Sequence, residues 1–365
     1  MFMSPIAVER DRAGKRSQRR GLALAAPSAR SSENAKTDEL DVLAQLEAIA
    51  AVLDRLGAAV ERVPCTLDLG AVARVLDRFK PDAVFNLVEC LEGYGRLIHV
   101  VPSMLDALGT SYTGCSAESL YLTSNKVLAK ERIRAAGFLT PDWTGPWPPG
   151  GGAPLVKGRM SRRRSRHIIK AVWEHASFGM DDDAVVDGAD EAGLLARMKE
   201  LAPRLRGECF AEAYVDGREF NVSIISAAEG PRVLPLAEIL FLDFPKGKPR
   251  IVNYKAKWDE DTIEYRSTPR TFDFKRADAE LLGELARVAL AAWDLFGLRG
   301  YARVDFRADA KNNPFILEVN ANPCISPDSG FIAAAQQGGL DYDAAIRTIL
   351  DDALRRAGRA PAKER

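Results

Sequence analysis

The sequence predicts a mixed protein, α/β at its N-terminal end and α+β beyond it, on three observations. From residue 21 to residue 108 short apolar runs alternate with stretches of helical apolar spacing, the pattern of a parallel sheet. Between Pro141 and Pro154 five prolines and four glycines interrupt the chain and read as a loop. Near the C-terminus two strands with period-two alternation, residues 300–306 and 315–320, flank turn-forming residues 308–314.

The elements follow in order. Residues 1–20 are basic (Arg10, Arg12, Lys15, Arg16, Arg19, Arg20), lack an apolar stretch long enough for a signal peptide and read as a disordered tail. Residues 21–27 read as a first buried strand and 28–36 as a polar loop. Residues 38–56 have helical spacing and stop at Gly57, a residue suited to ending a helix. A short strand over 58–63, a helix over 69–79 and a buried strand over 82–87 continue the alternation. Helices are expected over 101–108, from about 116, and over 125–136 before Gly137. After the Pro/Gly break, residues 157–166 form a dense basic run, most simply a solvated loop. Residues 167–173 are strand-like and 194–205 helical; strands over 209–215 and 219–225 are joined by Asp216 and Gly217. A long helix over 277–296 leads into the late hairpin, and helices over 330–337 and 342–356 follow.

Composition narrows the functional classes. The 365 residues suffice for two or three domains. Lys and Arg total 51, as do Asp and Glu, and a net charge of zero argues against a dedicated nucleic-acid binder. No apolar run has the length of a membrane span. Five scattered cysteines without a C-x-x-C pair fit free thiols in a reducing cytoplasm. Three histidines (His99, His167, His175) lack metal-ligand spacing, which argues against a zinc enzyme or a histidine-based triad.

The late hairpin carries the chemistry. Alternation puts Arg303 and Asp305 on one face and Glu318 and Asn320 on one face. With the turn centred between Lys311 and Asn312, Asp305 lies opposite Glu318 and Arg303 opposite Asn320. Carboxylates directly opposite each other repel, and a cation between them relieves the repulsion. Oxygen-only ligands suit a hard cation such as Mg²⁺, which leaves positions for substrate phosphates. The alternative is a solvated hairpin edge, but Val304, Phe306, Leu317 and Val319 imply a buried sheet.

Other local patterns line up with these strands: Phe85-Asn-Leu-Val-Glu89, Tyr112-Thr-Gly114, Asn125-Lys126, Ile168-Ile-Lys170, Glu174-His-Ala-Ser-Phe-Gly179-Met180, Glu212-Ala-Tyr-Val-Asp-Gly-Arg-Glu219, Tyr254-Lys-Ala-Lys257, Arg303-Val-Asp305, Leu317-Glu-Val-Asn320-Ala-Asn-Pro323 and Ser329. Each is weak alone, since a lysine at a helix start or an acid after a turn is ordinarily a surface charge. In this order and spacing, residues 21–350 resemble the ATP-grasp superfamily and, within it, the D-alanine–D-alanine ligase-like branch. The resemblance implies an ATP-grasp fold with an N-terminal parallel α/β substrate-binding domain (21–123), a central lid subdomain (124–214) and a C-terminal catalytic domain (215–365). It implies carboxylate activation by ATP and attack by an amine, small carboxylate and amine substrates, a cytoplasmic enzyme and a homodimer.

By the same resemblance, Lys126 and Lys170 hold the ATP phosphates, and Ser177 and Gly179 belong to a lid loop over them. Glu212 to Val215 form the adenine hinge, with Tyr214 and Leu317 as apolar walls, and Glu219 binds the ribose hydroxyls. Lys257 lies near the γ-phosphate. Asp305, Glu318 and Asn320 hold Mg²⁺, or Mn²⁺ in its place. Arg303 stabilises the tetrahedral intermediate and Ser329 binds a substrate carboxylate, although Ser329 could equally cap the following helix. The departures gather on the acceptor side. Ala176 and Trp258 stand where the family has a serine and a tyrosine, so that hydroxyl network is lost. Cys324 replaces a glycine, Asn125 an aspartate, and the N-terminal acid is ambiguous between Asp38 and Glu39. The sequence therefore points to a carboxylate–amine ligase acting on something other than two D-alanines. The alternatives are a D-alanine–D-alanine ligase and a catalytically inactive ATP-binding regulatory module.

Overall fold

A computed structural model describes residues 9–10, 16–17, 21–27, 37–148, 156–157, 166–175, 178–188, 190–244, 247–253 and 261–358. In the basic N-terminal segment, β1 (Glu9–Arg10) pairs antiparallel with β2 (Arg16–Ser17). The strands β3 (Gly21–Pro27), β4 (Ala59–Cys65) and β5 (Ala83–Asn86) then form a parallel sheet with β3 in the middle. The helix Thr37–Arg55 turns Leu46, Ile49, Val52 and Leu53 inward at helical spacing, and Gly57 with φ 75° ends the turn. The helix Leu69–Phe79 starts on Asp68, whose side chain accepts from Ala71 N at 3.0 Å, and stops at Lys80 in the left-handed region. This first sheet does not complete its core alone. Leu22, Ile49, Leu53 and Phe85 pack in one cluster with Ile325, Phe331, Ile346, Ile349 and Leu354 from the end of the chain.

The central sheet is antiparallel, ordered β7 (Val156–Lys157), β6 (Trp143–Trp147), β10 (Cys209–Ala213), β8 (His167–Ala171), β9 (Val185–Val186). The helix Glu191–Leu201 covers it through Leu194, Met198 and Leu201. Strand β6 lies within the stretch expected to be a loop from its prolines. Two residues of β6, Gly145 and Pro146, oppose the single residue Phe210, so a bulge absorbs a proline that has no N–H to give to the ladder. Gly145 is required there: its φ is 133°, and a Cβ would lie 2.8 Å from the Cβ of Phe210. Burial of Trp143 against Val127, Val172 and Phe210 holds the strand in place. Of the basic run 157–166, residues 158–165 lie outside the described residues.

The C-terminal sheet is ordered β14 (Arg270–Thr271), β13 (Ala237–Ile239), β11 (Arg218–Ala227), β15 (Tyr301–Ala308), β16 (Pro314–Asn320), with β12 (Gly230–Val233) also on β11. Strands β12, β13 and β14 were not expected from the sequence. One face packs on the helix Ala279–Leu295 through Phe220, Val222, Val304, Phe306, Ile316 and Val319. The other face is polar. Its rows are Glu219 opposite Arg307, then Asn221, Asp305 and Glu318 side by side, then Ser223, Arg303 and Asn320.

The pairing of Asp305 with Glu318 and of Arg303 with Asn320 is the register expected from alternation. It arises differently from a simple turn. Nearer the tip Phe306 pairs with Ile316 and Ala308 with Pro314, and the register shifts between Asp305 and Phe306. Leu317 is the extra residue. Without this bulge Leu317 would face Asp305, and Glu318 would turn toward the apolar side.

Candidate functional site

The polar face of the C-terminal sheet is the floor of a cleft of about 840 Å³ between that sheet and the central one, closed on a further side by Glu89, Cys90, Gly93, Gly95 and Ile98. Twelve residues to which the resemblance gives a binding or catalytic role line it: Lys126, Lys170, Glu212, Tyr214, Val215, Glu219, Arg303, Asp305, Leu317, Glu318, Asn320 and Ser329. Gly179 is not a lining residue, although its neighbours Phe178 and Met180 are. At φ 66°, a Cβ on Gly179 would come within 2.5 Å of Leu205 Cδ2, so packing accounts for the glycine. Ser177, Lys257, Ala176, Trp258 and the side chains of Asp38 and Glu39 lie outside the described residues.

On the floor, Asp305 is held by the protein's own cations and amides. Arg303 donates to it from Nε (2.7 Å) and Nη2 (2.9 Å), and Asn221 Nδ2 donates at 2.7 Å. Burial works against the Arg303 charge, but Asp305 overcomes it and raises the guanidinium pKa. Glu318 faces His175 Nδ1 at 3.1 Å and Lys126 Nζ at 3.8 Å. The expected repulsion between the two carboxylates is thus met in part by Arg303, Lys126 and His175. Among the described residues no three His, Cys, Asp or Glu side chains are grouped so that they could hold a metal ion. Beside Asp305 on this face stand the carboxylate of Glu318 and the side-chain amides of Asn221 and Asn320.

The wall toward the central sheet is a buried charge cluster. Lys126 is the first residue of the helix Lys126–Ala135, which Asn125 caps by accepting from Val127 N and Leu128 N. Asparagine caps as well as aspartate, so this departure leaves the lysine's placement intact. Lys126 Nζ donates to the carbonyl of Glu174, and burial pulls its pKa down against the opposing pull of Glu318. One turn on, Lys130 is 1% exposed and pairs with Glu212 Oε2 at 2.7 Å, while Lys170 pairs with Glu212 Oε1. Burial pushes the Glu212 carboxyl up, but the two lysines outweigh it and hold it below the usual range. The Glu212 side chain is therefore an ion-pair centre.

Four residues in and around the cleft were not singled out from sequence. Lys130 is four residues after Lys126, on the same helical face. Arg307 continues the alternation of Arg303 and Asp305. Asn221 follows Glu219 by the same step of two. His175 bridges Glu318 and Ser124 Oγ, each at 3.1 Å; the sequence gives it no role beyond its place in the run from Glu174 to Met180. At the far end, Ser329 accepts from Ile332 N at 3.3 Å, capping the helix Gly330–Gln337 while lining the cleft. Cys324 also lines it, its Sγ 3.2 Å from Ser326 Oγ.

Comparison with known proteins agrees with this geometry. The family described as D-ala D-ala ligase C-terminus matches residues 168–351. The chain is 30% identical over 320 residues to an uncharacterized protein, y4sG, of Sinorhizobium fredii, covering 85% of this chain and 87% of that one. It is 30% identical over 319 residues to the D-alanine–D-alanine ligase of Moorella thermoacetica, covering 84% and 92%. The crystal structure of D-alanine–D-alanine ligase from Bacillus anthracis complexed with ATP superposes with a TM-score of 0.67 at 22% identity, over 92% of this chain and 98% of that one, a likeness of fold. Among the described residues no helix is long and apolar enough to cross a membrane. The chain belongs to the D-alanine–D-alanine ligase family, ATP-grasp enzymes that form C–N bonds in an ATP-dependent reaction.

Proposed function

We propose that this protein joins a carboxylate to an amine through an acyl phosphate, on an amino acid or small peptide other than a pair of D-alanines. The observation that carries the chemistry is the row of Asp305 and Glu318 beside Arg303 and Asn320, in one cleft with Lys126 and Lys170. A carboxylate is a poor electrophile. Transfer of the γ-phosphoryl group of ATP to a carboxylate oxygen releases ADP and gives an acyl phosphate. The amine nitrogen attacks the carbonyl carbon, the tetrahedral intermediate expels inorganic phosphate, and the nitrogen gives up a proton.

Each residue then has a task. Lys126 and Lys170 hold the phosphates as compact charges. Asp305, Glu318 and Asn320 are hard oxygen donors that fit Mg²⁺, with Mn²⁺ accepting the same set; when bound, the ion neutralises phosphate charge. Arg303 commits Nε and Nη2 to Asp305 and retains Nη1 as a donor for the developing oxyanion. Glu219 takes the ribose hydroxyls, and the hinge through Val215, with Tyr214 and Leu317, takes adenine. Ser177 and Gly179 belong to the lid, and Lys257 meets the γ-phosphate. Ser329 at its helix N-terminus orients a substrate carboxylate.

The altered acceptor side supports a different substrate: a thiol side chain at Cys324 occupies the cleft wall where the family has none, and Ala176 and Trp258 lack the family's hydroxyls. A panel of amino acids of both chiralities and dipeptides, assayed for ADP and phosphate release, tests this. Turnover is expected only with a matching pair. Efficient turnover with D-alanine alone would refute the altered specificity, and ATP binding without turnover on any pair would refute the ligase reading.

A further inference from the structure

Arg307 is the most heavily committed side chain in the cleft. Its side chain is 4% exposed, and each guanidinium nitrogen has an acceptor. Nε (3.0 Å) and Nη2 (2.7 Å) both donate to Glu219 Oε2, Nη2 also donates to the carbonyl of Arg250, and Nη1 donates to the carbonyls of Val215 (3.5 Å) and Gly217 (3.3 Å). Five N–H groups meet five acceptor contacts, so no donor remains for a phosphate. The guanidinium carbon lies 5.6 Å from the ring centre of Tyr214 and 5.1 Å from that of Phe241. One planar fork thus ties together the end of the hinge, the turn at Gly217, the first residues of β11 and the segment at Arg250.

The geometry points to Arg307 as the residue that makes the nucleotide site select a ribose with both hydroxyls, by holding Glu219 in a fixed orientation. This rests on reading Glu219 as the ribose carboxylate. Both donors fall on Oε2, which pins that oxygen and limits the side chain to rotamers that reach Arg307. Oε1, which has no hydrogen-bond partner among the described residues, is left to accept from a sugar hydroxyl. A carboxylate already fixed loses less side-chain freedom when the nucleotide arrives. The same fork fixes the Val215 carbonyl, so the distance between the hinge and the ribose acceptor is set by one side chain. Lysine cannot reproduce this, because a single ammonium lacks the planar fork. Arg307 touches neither substrate nor reacting atoms and is a positioning residue.

The test is calorimetric binding of ATP, 2′-deoxy-ATP and 3′-deoxy-ATP, each with Mg²⁺, to the full-length protein and to R307M, R307K and E219Q. The wild-type protein is expected to favour ATP over a deoxy analogue by about 10-fold or more, the worth of a hydrogen bond to a charged group. Both Arg307 variants are expected to bring that ratio to within about 3-fold; R307K keeps the charge and serves where R307M does not fold. A merely structural role for Arg307 would weaken all three nucleotides alike, so an Arg307 variant that keeps the wild-type ratio overturns the inference. E219Q separates the two levels. If E219Q keeps the wild-type ratio, the ribose reading of Glu219 falls and the inference with it. If E219Q loses the ratio while R307M and R307K retain it, only the inference fails.

Discussion

Replacing Glu212 by glutamine should be more damaging than removing Lys130, one of the two lysines it pairs with. Among the described residues Glu212 is the anion that pairs with both Lys130 and Lys170, and the side chains are 2%, 1% and 14% exposed. E212Q leaves two cations facing a neutral amide. Breaking a buried pair by removing one partner costs about 3–5 kcal/mol. K130M leaves Glu212 paired with Lys170 and fills most of the space. Its cost is the lost charge-assisted contacts to Glu212 and to Thr140 Oγ1 at 2.8 Å, about 1.5–3 kcal/mol. In the double variant only Lys170, the most exposed of the three, lacks its partner, so the loss should fall below the sum of the single losses by about 1 kcal/mol or more. Denaturant unfolding of the four proteins measures these differences. The acid limb supplies a second reading. The ordinary carboxyl value is 4.5 and the folded value lies below it. As pH falls through 4.5 the unfolded chain binds a proton that the folded chain does not, and stability drops. That contribution is complete above 4.5 and should be absent in E212Q. Equal losses in E212Q and K130M, or strict additivity in the double variant, would refute the picture of a carboxylate shared by two lysines.

Two further outcomes follow from the floor and the hinge. D305A and E318A should abolish Mg²⁺-dependent phosphate release while far-ultraviolet circular dichroism stays unchanged, since both side chains belong to the polar face and the apolar face carries the packing; normal turnover in either defeats the metal assignment. G217A should destabilise the protein by at least about 1–3 kcal/mol and weaken ATP binding, because a Cβ there would lie 1.9 Å from the carbonyl oxygen of Ala308 at φ 154°, and the moving segment carries an acceptor of Arg307. A Gly217 variant with wild-type melting and ATP affinity would show that the turn relaxes without strain.

The hairpin was legible because alternation and turn residues are local properties, and both survive into the fold. The bulge at Leu317 was not, since its signal is the energetic cost of turning Glu318 into an apolar layer that only the assembled sheet defines. Strand β6 was hidden by Pro146 and the prolines around it. A proline disqualifies a strand only where an N–H is needed, and the two-to-one opposition at Phe210 removes that need. Arg307 and Lys130 were readable in principle, one at a strand step of two after Asp305 and the other a helical turn after Lys126. What sequence could not supply is that both are buried and surrounded by acceptors from segments far away in the chain. Positions on the lid and the late lysine segment, Ser177 and Lys257, depended on resemblance alone.

The core shared by the first sheet and the last helices has a consequence for biosynthesis. Leu22 and Phe85 bury themselves against Phe331, Ile346 and Leu354, which leave the ribosome more than two hundred residues later. At about 5–20 residues per second, the first strands wait on the order of tens of seconds before their apolar face is covered. During that interval the nascent chain presents an uncovered apolar face, the kind of surface that holdase chaperones occupy. Ile325, in the segment from Cys324 to Ser329 that leads into the helix Gly330–Gln337, packs in this same core, so that segment acquires its final shape only once the helix Tyr342–Arg356 has emerged.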